Sequence, residues 1–580
     1  MAQNQLDRKS ITKNRIIRLL SIISLIVCIA ILFPQVRRMI IHLAEQILHR
    51  SIFLDQIWFE TLISYAIGGI CIILFFDYCT LTNSGRILVQ NVKQEIKECL
   101  SNIDFYSFRK PVVWLAIVYL LGILSIIRAN FLYMDGISYA VSGFREWYNW
   151  SRYVIVFLSY FIQPEIYMTD ISPIPQLLAV LILSCSSVLL VYVLGKGKMT
   201  TLRLLASLPL GLSPYFIECL SYKFLSPYMA LSIFISIVPF LFVTRKKAFV
   251  FISVVSLLIM CMTYQAASGI YPLIVIILCF QVWNDREKSM KEIGSFLCIA
   301  ALAFGFSMLA YRFFFMVPHV DNYTSNTVLP VSSIIVGTME NIKKYAWIIN
   351  HDFGMIWKIG IAFVLFFFTL KSVGQSKQKK LLSLIVSLFV IVLSFILSYG
   401  MYSFLVDPLY APRALFGFGL FLAILCIYVV SNYRKTALVV VLVLNWCFFV
   451  FAFSYGNALA DQARYAEFRI GILLHDLSTL YPNSDGEGMT FQLKNSIDYA
   501  PSIKNIAKNY PIIERLVPKR LGADEYWDYQ YFLNHYHFDS VKIGYNSSAD
   551  FSSLNLPVVL DSYYHTIQSD GSHVLILLKH

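Results

Sequence analysis

Charged side chains are scarce in this chain. They make up 14% of its 580 residues, where a soluble globular domain carries about 25%. Hydrophobic residues make up 58%. Polar groups are too few to cover the surface, so lipid must be the solvent for much of the chain. Cysteine pairing is missing as well. The 11 cysteines are scattered through apolar segments (Cys28, Cys71, Cys185, Cys261 and Cys426 among them), none follows Cys447, and there is no CxxC or His–Cys cluster. This argues against a disulfide framework and against a zinc site. No internal repeat, low-complexity tract or inverted pattern relates the two halves, as a repeat-built transporter would require. The first apolar stretch follows Lys9, Lys13, Arg15 and Arg18 but lacks a small-residue cleavage site. It reads as an uncleaved first helix.

What is abundant is aromatic and basic. Aromatics reach 16% and the formal net charge is +13. In a soluble protein such a charge would raise the question of nucleic acid. Here the basic residues sit in short loops and report topology instead. Apolar runs of spanning length lie near 16–35, 58–82, 111–128, 174–194, 203–218, 228–244, 248–265, 268–283, 294–316, 353–370, 381–402, 412–432 and 436–455, about thirteen spans. Basic groups mark every second loop: the N-terminus, 83–110, Lys196 to Arg203, Arg245 to Lys247, Arg286 to Lys291, Lys371 to Lys380, and Arg434 with Lys435. These loops are expected on the cytoplasmic side. The long loops 36–57, 129–173 and 317–352 then face outward. The apolar stretch 151–163 is too short to cross and is expected to lie in the interface or to re-enter.

After Tyr455 the composition turns polar, and about 125 residues remain, enough for one small domain. The expected organisation is a multi-spanning domain over 1–455 and a soluble α/β domain over 456–580 outside the cytoplasm. In the tail we expect a helix near 457–480, a strand near 488–493, short helices through 502–517 and 524–534, and a hairpin turning at Ser569 to Ser572. His535 and His537 have a metal-ligand spacing, but such a pair is usually ordinary surface chemistry.

Chemistry concentrates in the loop after the third apolar run. Arg128, Tyr133, Asp135, Gly143, Arg145, Trp147, Trp150 and Arg152 stand there within 25 residues. A carboxylate at the outer membrane face can act as general base on a sugar hydroxyl. Arginines can hold a phosphate through charge-assisted pairs, and tryptophans can stack on sugar rings. The plainer reading is an interfacial loop with snorkelling arginines and belt aromatics. Other outward pieces are Glu218 to Phe224, Tyr264 with Gln265, Arg312, and Asp407 to Arg413.

These pieces, in this order, resemble the bacterial glucosyltransferase II family, O-antigen-modifying membrane glycosyltransferases of the GT-C fold. The similar segments are Tyr133 to Asp135 with Gly143, Trp147 and Arg152; Leu220 to Phe224 with Met229 to Ser232; Tyr264 to Ala266; Pro412 and Arg413; and Tyr455 to Leu459 with Gln462. Two departures stand out. Asp135 is followed by Gly136 where the family often has a second aspartate, and Leu225 stands where an aspartate often follows the Ser-Tyr-Lys-Phe segment.

The resemblance implies a polytopic α-helical GT-C-like bundle in the bacterial cytoplasmic membrane, N-terminus inside. It implies transfer of a sugar, usually glucose, from a polyprenyl-phosphate donor to a polysaccharide acceptor on the outer face. Asp135 would be the catalytic base. Arg128, Arg152, Lys223, Arg312 and Arg413 would serve the donor phosphate. Tyr133, Trp147, Tyr222 and Gln265 are candidate sugar contacts. One base without a second catalytic carboxylate fits a single, inverting displacement. No cofactor is called for, and no sequence feature requires a metal, although Asp135, Glu218 and Asp407 carry the oxygen ligands a hard cation would take. Nucleic acid is not an expected partner; membrane lipid is. The rival readings are a membrane transporter and an O-antigen polymerase.

Overall fold

The computed structural model describes residues 83–317, 327–431, 435–481, 490–522 and 550–579. The expected spans 16–35 and 58–82, the expected helix 524–534, and the pair His535 and His537 lie outside the described residues. The chain divides into two compact units. The first holds, of the described residues, 83–103, Pro239–Leu258 and 302–317; the second holds 104–238, 259–301 and the remainder. Within the first unit, Arg245 pairs with Glu98 at 2.9 Å, and Glu95 accepts from the Ala248 amide at 2.9 Å.

Seven described helices are long and apolar enough to cross a membrane: Phe105–Ala129, Ile174–Leu194, Gln265–Asn284, Met290–Phe315, Met355–Gln375, Lys380–Ser398 and Lys435–Leu480. The pair Thr201–Leu212 and Pro214–Ser221, bent by 61°, makes an eighth if read as one broken span. The chain is thus a helical membrane protein; of the thirteen spans read from hydropathy eleven fall on described residues, against these seven or eight helices. The excess has a physical cause. Gly417–Val430 is apolar but only 14 residues long, about 21 Å of helix against a hydrocarbon core of about 30 Å. Almost every side chain in it is buried in protein. Hydropathy does not separate such a helix from one bathed in lipid. Tyr153–Ile162, expected to be too short to cross, is a 10-residue helix.

The helix Arg109–Ala129 shows how lipid shapes the pattern. Val113, Ile117, Leu121 and Leu124 form an exposed apolar stripe, while Leu115, Tyr119, Ile123 and Ile126 are buried on the other side. Both faces are apolar because both solvents, protein and lipid, are apolar. It packs against Lys435–Leu480, where Gly456 permits close approach. A Cβ there would meet the Ser125 carbonyl carbon at 2.5 Å, and Ser125 Oγ donates to the Ala452 carbonyl at 3.0 Å.

The expected last span and the expected first helix of the tail are one helix, Lys435–Leu480, 46 residues long. At 1.5 Å per residue it extends about 69 Å, more than twice the hydrocarbon core. Its far end carries a four-stranded sheet: β1 (Thr490–Lys494), β2 (Val558–Asp561), β3 (His565–Ser569) and β4 (His573–Leu578), in the order β1-β4-β3-β2. β1 runs parallel to β4, and the other pairs are antiparallel. Ile470, Leu473 and Leu477 of the helix meet Phe491, Leu493, Ile567, Val574 and Ile576 of the sheet in one apolar core. The β3–β4 turn falls at the expected Ser569 to Ser572. Asp570 accepts from the amides of Ser572 and His573, and Gly571 takes φ 95°.

Candidate active site

All residues of the site belong to the second unit. The helix Arg109–Ala129 ends at Asn130, which adopts a left-handed conformation (φ 44°). Phe131, Leu132 and Tyr133 follow, and Met134 is again left-handed (φ 43°). Asparagine tolerates this region, whereas methionine is there at a cost. Asp135 then stands at the head of the short helix Gly136–Ser142. Its carbonyl accepts from the Tyr139 amide at 3.1 Å, but its side chain does not cap the helix. The half-buried carboxylate has no hydrogen-bond donor among the described residues. It lies within electrostatic reach of the Tyr139 and Tyr222 hydroxyls. Burial pushes the Tyr139 hydroxyl well above its ordinary range, and the Asp135 charge pushes it further. Tyr139 therefore stays neutral and accepts from Trp147 Nε1 at 2.7 Å.

Behind this loop sits Glu218, 1% exposed, on the bent helix Pro214–Ser221. Its carboxylate accepts from the Arg413 amide and, at 3.3 Å, from Arg413 Nη1. The Tyr133 hydroxyl lies 3.1 Å from Glu218 Oε1 and 2.7 Å from the Leu516 carbonyl oxygen, its one proton shared between two acceptors. The Arg413 guanidinium stands 5.2 Å from the Tyr222 ring centre, and Tyr222 meets Tyr133 edge to face at 4.9 Å. Arg152 lies over Tyr264 at 5.1 Å and near Trp150 at 5.9 Å; Gln265 donates to the Trp150 carbonyl at 3.3 Å. Tyr264 in turn donates to the Arg413 carbonyl at 3.4 Å. Two carboxylates, two guanidiniums and a set of buried aromatic rings thus lie in one cluster, with Tyr133, Trp147, Tyr222 and Tyr264 each no more than 3% exposed.

A cavity of about 690 Å³ opens beside it, lined by Met134, Glu218, Asn341, Lys344, Asp407, Tyr410, Arg413 and Arg515. The Lys344 ammonium is 4.5 Å from the Tyr410 ring centre. Arg515 comes from the tail. It pairs with the buried Asp352 and donates to the Tyr410 carbonyl. Burial raises the Asp352 carboxyl above its usual range, which Arg515 opposes without cancelling. Burial likewise pushes the Tyr410 hydroxyl up to about 12. The lining holds three cations and three carboxylates, Glu340 being the third; Arg413 is paired with Glu218 and Arg515 with Asp352.

A family model, that of glucosyl transferase GtrII, matches residues 124–430, more than half of the chain and the stretch that holds Asp135, Glu218 and Arg413. The chain belongs to the GtrII glucosyl transferase family. A protein of Salmonella phage P22 described as an uncharacterized 55.3 kDa protein in the gtrB 5′ region is 26% identical over 438 residues, 71% of this chain and 87% of that relative. No solved structure matches.

For this GtrII family member the structure sorts the sequence-derived residues into two groups. Asp135, Tyr133, Trp147, Arg152, Tyr222, Gln265 and Arg413 come together as described. Lys223 and Arg128 do not join that cluster. The Lys223 side chain is 2% exposed, and its ammonium is held by Asp170 at 2.6 Å and by Asn130 Oδ1 at 2.7 Å. It ties the helix end to the 170 loop. Arg128 is exposed and bonds Asn457. Arg312 belongs to the first unit, in the π-helical turn Tyr311–Phe315. Sequence reading missed Lys344 and Arg515. Lys344 lies on the helix Ile334–Asp352, inside a stretch read as loop, and Arg515 lies in the tail. Among the described residues no three His, Cys, Asp or Glu side chains assemble as a metal set.

Proposed function

We propose that this glucosyl transferase family member moves a sugar, glucose by preference, from a polyprenyl-phosphate donor to a cell-surface polysaccharide such as the lipopolysaccharide O-antigen. The reaction takes place at the outer face of the bacterial cytoplasmic membrane, with the tail (456–580) on that side and the basic loops inside. Asp135 is the general base. The observation that carries this assignment is that its carboxylate has no donor among the described residues, while Glu218 is bound to Arg413 and Tyr133. A base must be available to a proton it has yet to receive.

The acceptor hydroxyl attacks the anomeric carbon as the bond from that carbon to the phosphate oxygen breaks. Asp135 takes the hydroxyl proton, and polyprenyl phosphate leaves with the bonding pair. Arg413, with Lys344 and Arg515 across the cavity, balances the charge that develops on the leaving group. Arg152 and Gln265, both part-exposed, face the sugar, and the buried rings of Tyr222, Trp147 and Tyr133 back them. One displacement inverts the anomeric carbon.

The test is transfer of labelled glucose from polyprenyl phosphate to polysaccharide by wild type and Asp135→Asn at equal membrane levels. We expect a loss of about 100-fold or more in the variant, the scale of a general base. Equal rates would remove Asp135 from the base role.

A further inference from the structure

The segment that carries Asp135 is held from nearly 400 residues away. Phe131, Leu132 and Tyr133 lie between two left-handed residues, Asn130 and Met134, in no helix or strand. Such a conformation persists only where its surroundings over-determine it. Here the tail supplies the constraint. Arg520 is 8% exposed; its Nη2 donates to the Leu132 carbonyl at 2.7 Å and its guanidinium lies 4.4 Å from the Phe131 ring centre. Four residues earlier the Leu516 carbonyl accepts from the Tyr133 hydroxyl at 2.7 Å.

The clamp is itself anchored. Arg520 and Ile497 exchange backbone hydrogen bonds of 2.7 and 3.3 Å. Gln462, on the long helix, accepts from the Ala500 amide at 2.9 Å. Arg515 fastens the same segment to Asp352 and the Tyr410 carbonyl. Each of the three consecutive residues before Met134 therefore meets the tail through a different group: a ring, a carbonyl and a hydroxyl.

We propose that Arg520 is a positioning residue for glycosyl transfer, fixing through Leu132 and Phe131 the backbone that presents Asp135. The tail is then part of the catalytic apparatus. This rests on Asp135 as the base. A misplacement of about 1 Å costs a rate on the order of 100-fold, while the donor site, built mainly from the helical domain, keeps its affinity.

The test uses the full chain in lipid nanodiscs, as wild type, Arg520→Ala, Arg520→Lys and Tyr133→Phe. Hydrogen exchange is followed over residues 129–137, and transfer kinetics are measured with polyprenyl-phosphate glucose. In Arg520→Ala we expect faster exchange confined to that stretch, kcat lower by about 100-fold and donor KM unchanged. Arg520→Lys, which keeps one donor but not the planar stack, should recover part of the kcat. If Arg520→Ala exchanges faster throughout, Tyr133→Phe carries the test, since it removes one hydroxyl with its contacts to the Leu516 carbonyl and Glu218. Exchange over 129–137 at the wild-type rate in the variant that folds overturns the clamp. So does a fall in kcat that the lysine variant does not relieve. A wild type that transfers no sugar, with the expected exchange pattern intact, overturns the transferase reading and leaves the clamp standing.

Discussion

Replacing Glu218 by glutamine is the most direct perturbation of the framework beneath the site. The carboxylate is 1% exposed and faces three donors: the Arg413 amide, Arg413 Nη1 and the Tyr133 hydroxyl. Glutamine keeps the volume and one acceptor oxygen. Its NH₂ group, however, takes the place of Oε2 and faces the Arg413 N–H, donor against donor. Taking one partner from a buried ion pair costs about 3–5 kcal/mol, and an orphaned buried N–H about 1–3 kcal/mol. The two overlap, and the Arg413 side chain is 17% exposed, so water recovers part of the loss. We expect a loss of about 3 kcal/mol, a substantial share of the roughly 5–15 kcal/mol that holds a domain folded. The assay is a reversible denaturant titration in mixed micelles, read by tryptophan fluorescence. A double-mutant cycle with Arg413→Gln should show a coupling of about 0.5–3 kcal/mol, because removing both charges leaves neither stranded. A loss below about 0.5 kcal/mol, or strictly additive effects, would refute the reasoning.

Two further outcomes follow from single contacts. Gly456→Ala places a Cβ 2.5 Å from the Ser125 carbonyl carbon; backbone cannot rotate away as a side chain can, so the variant should lose about 1–3 kcal/mol in the same titration. The Asp170 carboxyl is raised by burial but more strongly lowered by hydrogen bonds from Lys223 and Ser172, so its folded value lies below the ordinary one. A lowered carboxylate contributes stability above its unfolded pKa of about 3.9 and loses it as pH falls through the folded value. Thermal unfolding scanned from pH 6 downward should therefore show an acid limb that is shallower in Asp170→Asn; parallel limbs would contradict the Lys223 pairing.

The membrane character was legible because hydropathy is additive along the chain and needs no knowledge of contacts. The Asp135 loop was legible for a related reason: Tyr133, Asp135, Trp147 and Arg152 lie within twenty residues, so local density announced them. Lys223 shows the limit. Its charge and its expected place at the outer face suited a phosphate, yet its ammonium is consumed by Asp170, 53 positions earlier. Sequence displays a charge but not its partner. The long helix shows another limit. The composition turns polar after Tyr455, yet the helix Lys435–Leu480 runs through that point unbroken, because composition reports the solvent around a helix and not its hydrogen bonding. The bend between Leu212 and Pro214 is visible in retrospect, since a proline withholds its amide from the preceding turn.

Glu218, which lines the cavity, and Asp135, next to the lining residue Met134, differ sharply in their neighbours. Glu218 is surrounded by donors, and each of them fixes something: Arg413 through its backbone and side chain, Tyr133 through its ring against Tyr222. A proton arriving there would have to displace a guanidinium contact. Asp135 has the opposite setting: Arg520 and Leu516 bond Leu132 and Tyr133 just before it, and its own side chain has no donor among the described residues. An unsatisfied carboxylate suits the base role proposed for Asp135, since a base must be available before the proton arrives. Tyr455 extends the same logic to the long helix. Its hydroxyl meets Ser221 at 2.8 Å, one residue from Tyr222, while Gly456 lets that helix close on Arg109–Ala129. The long helix therefore touches both the segment that carries Glu218 and the helix that leads into the Asp135 loop.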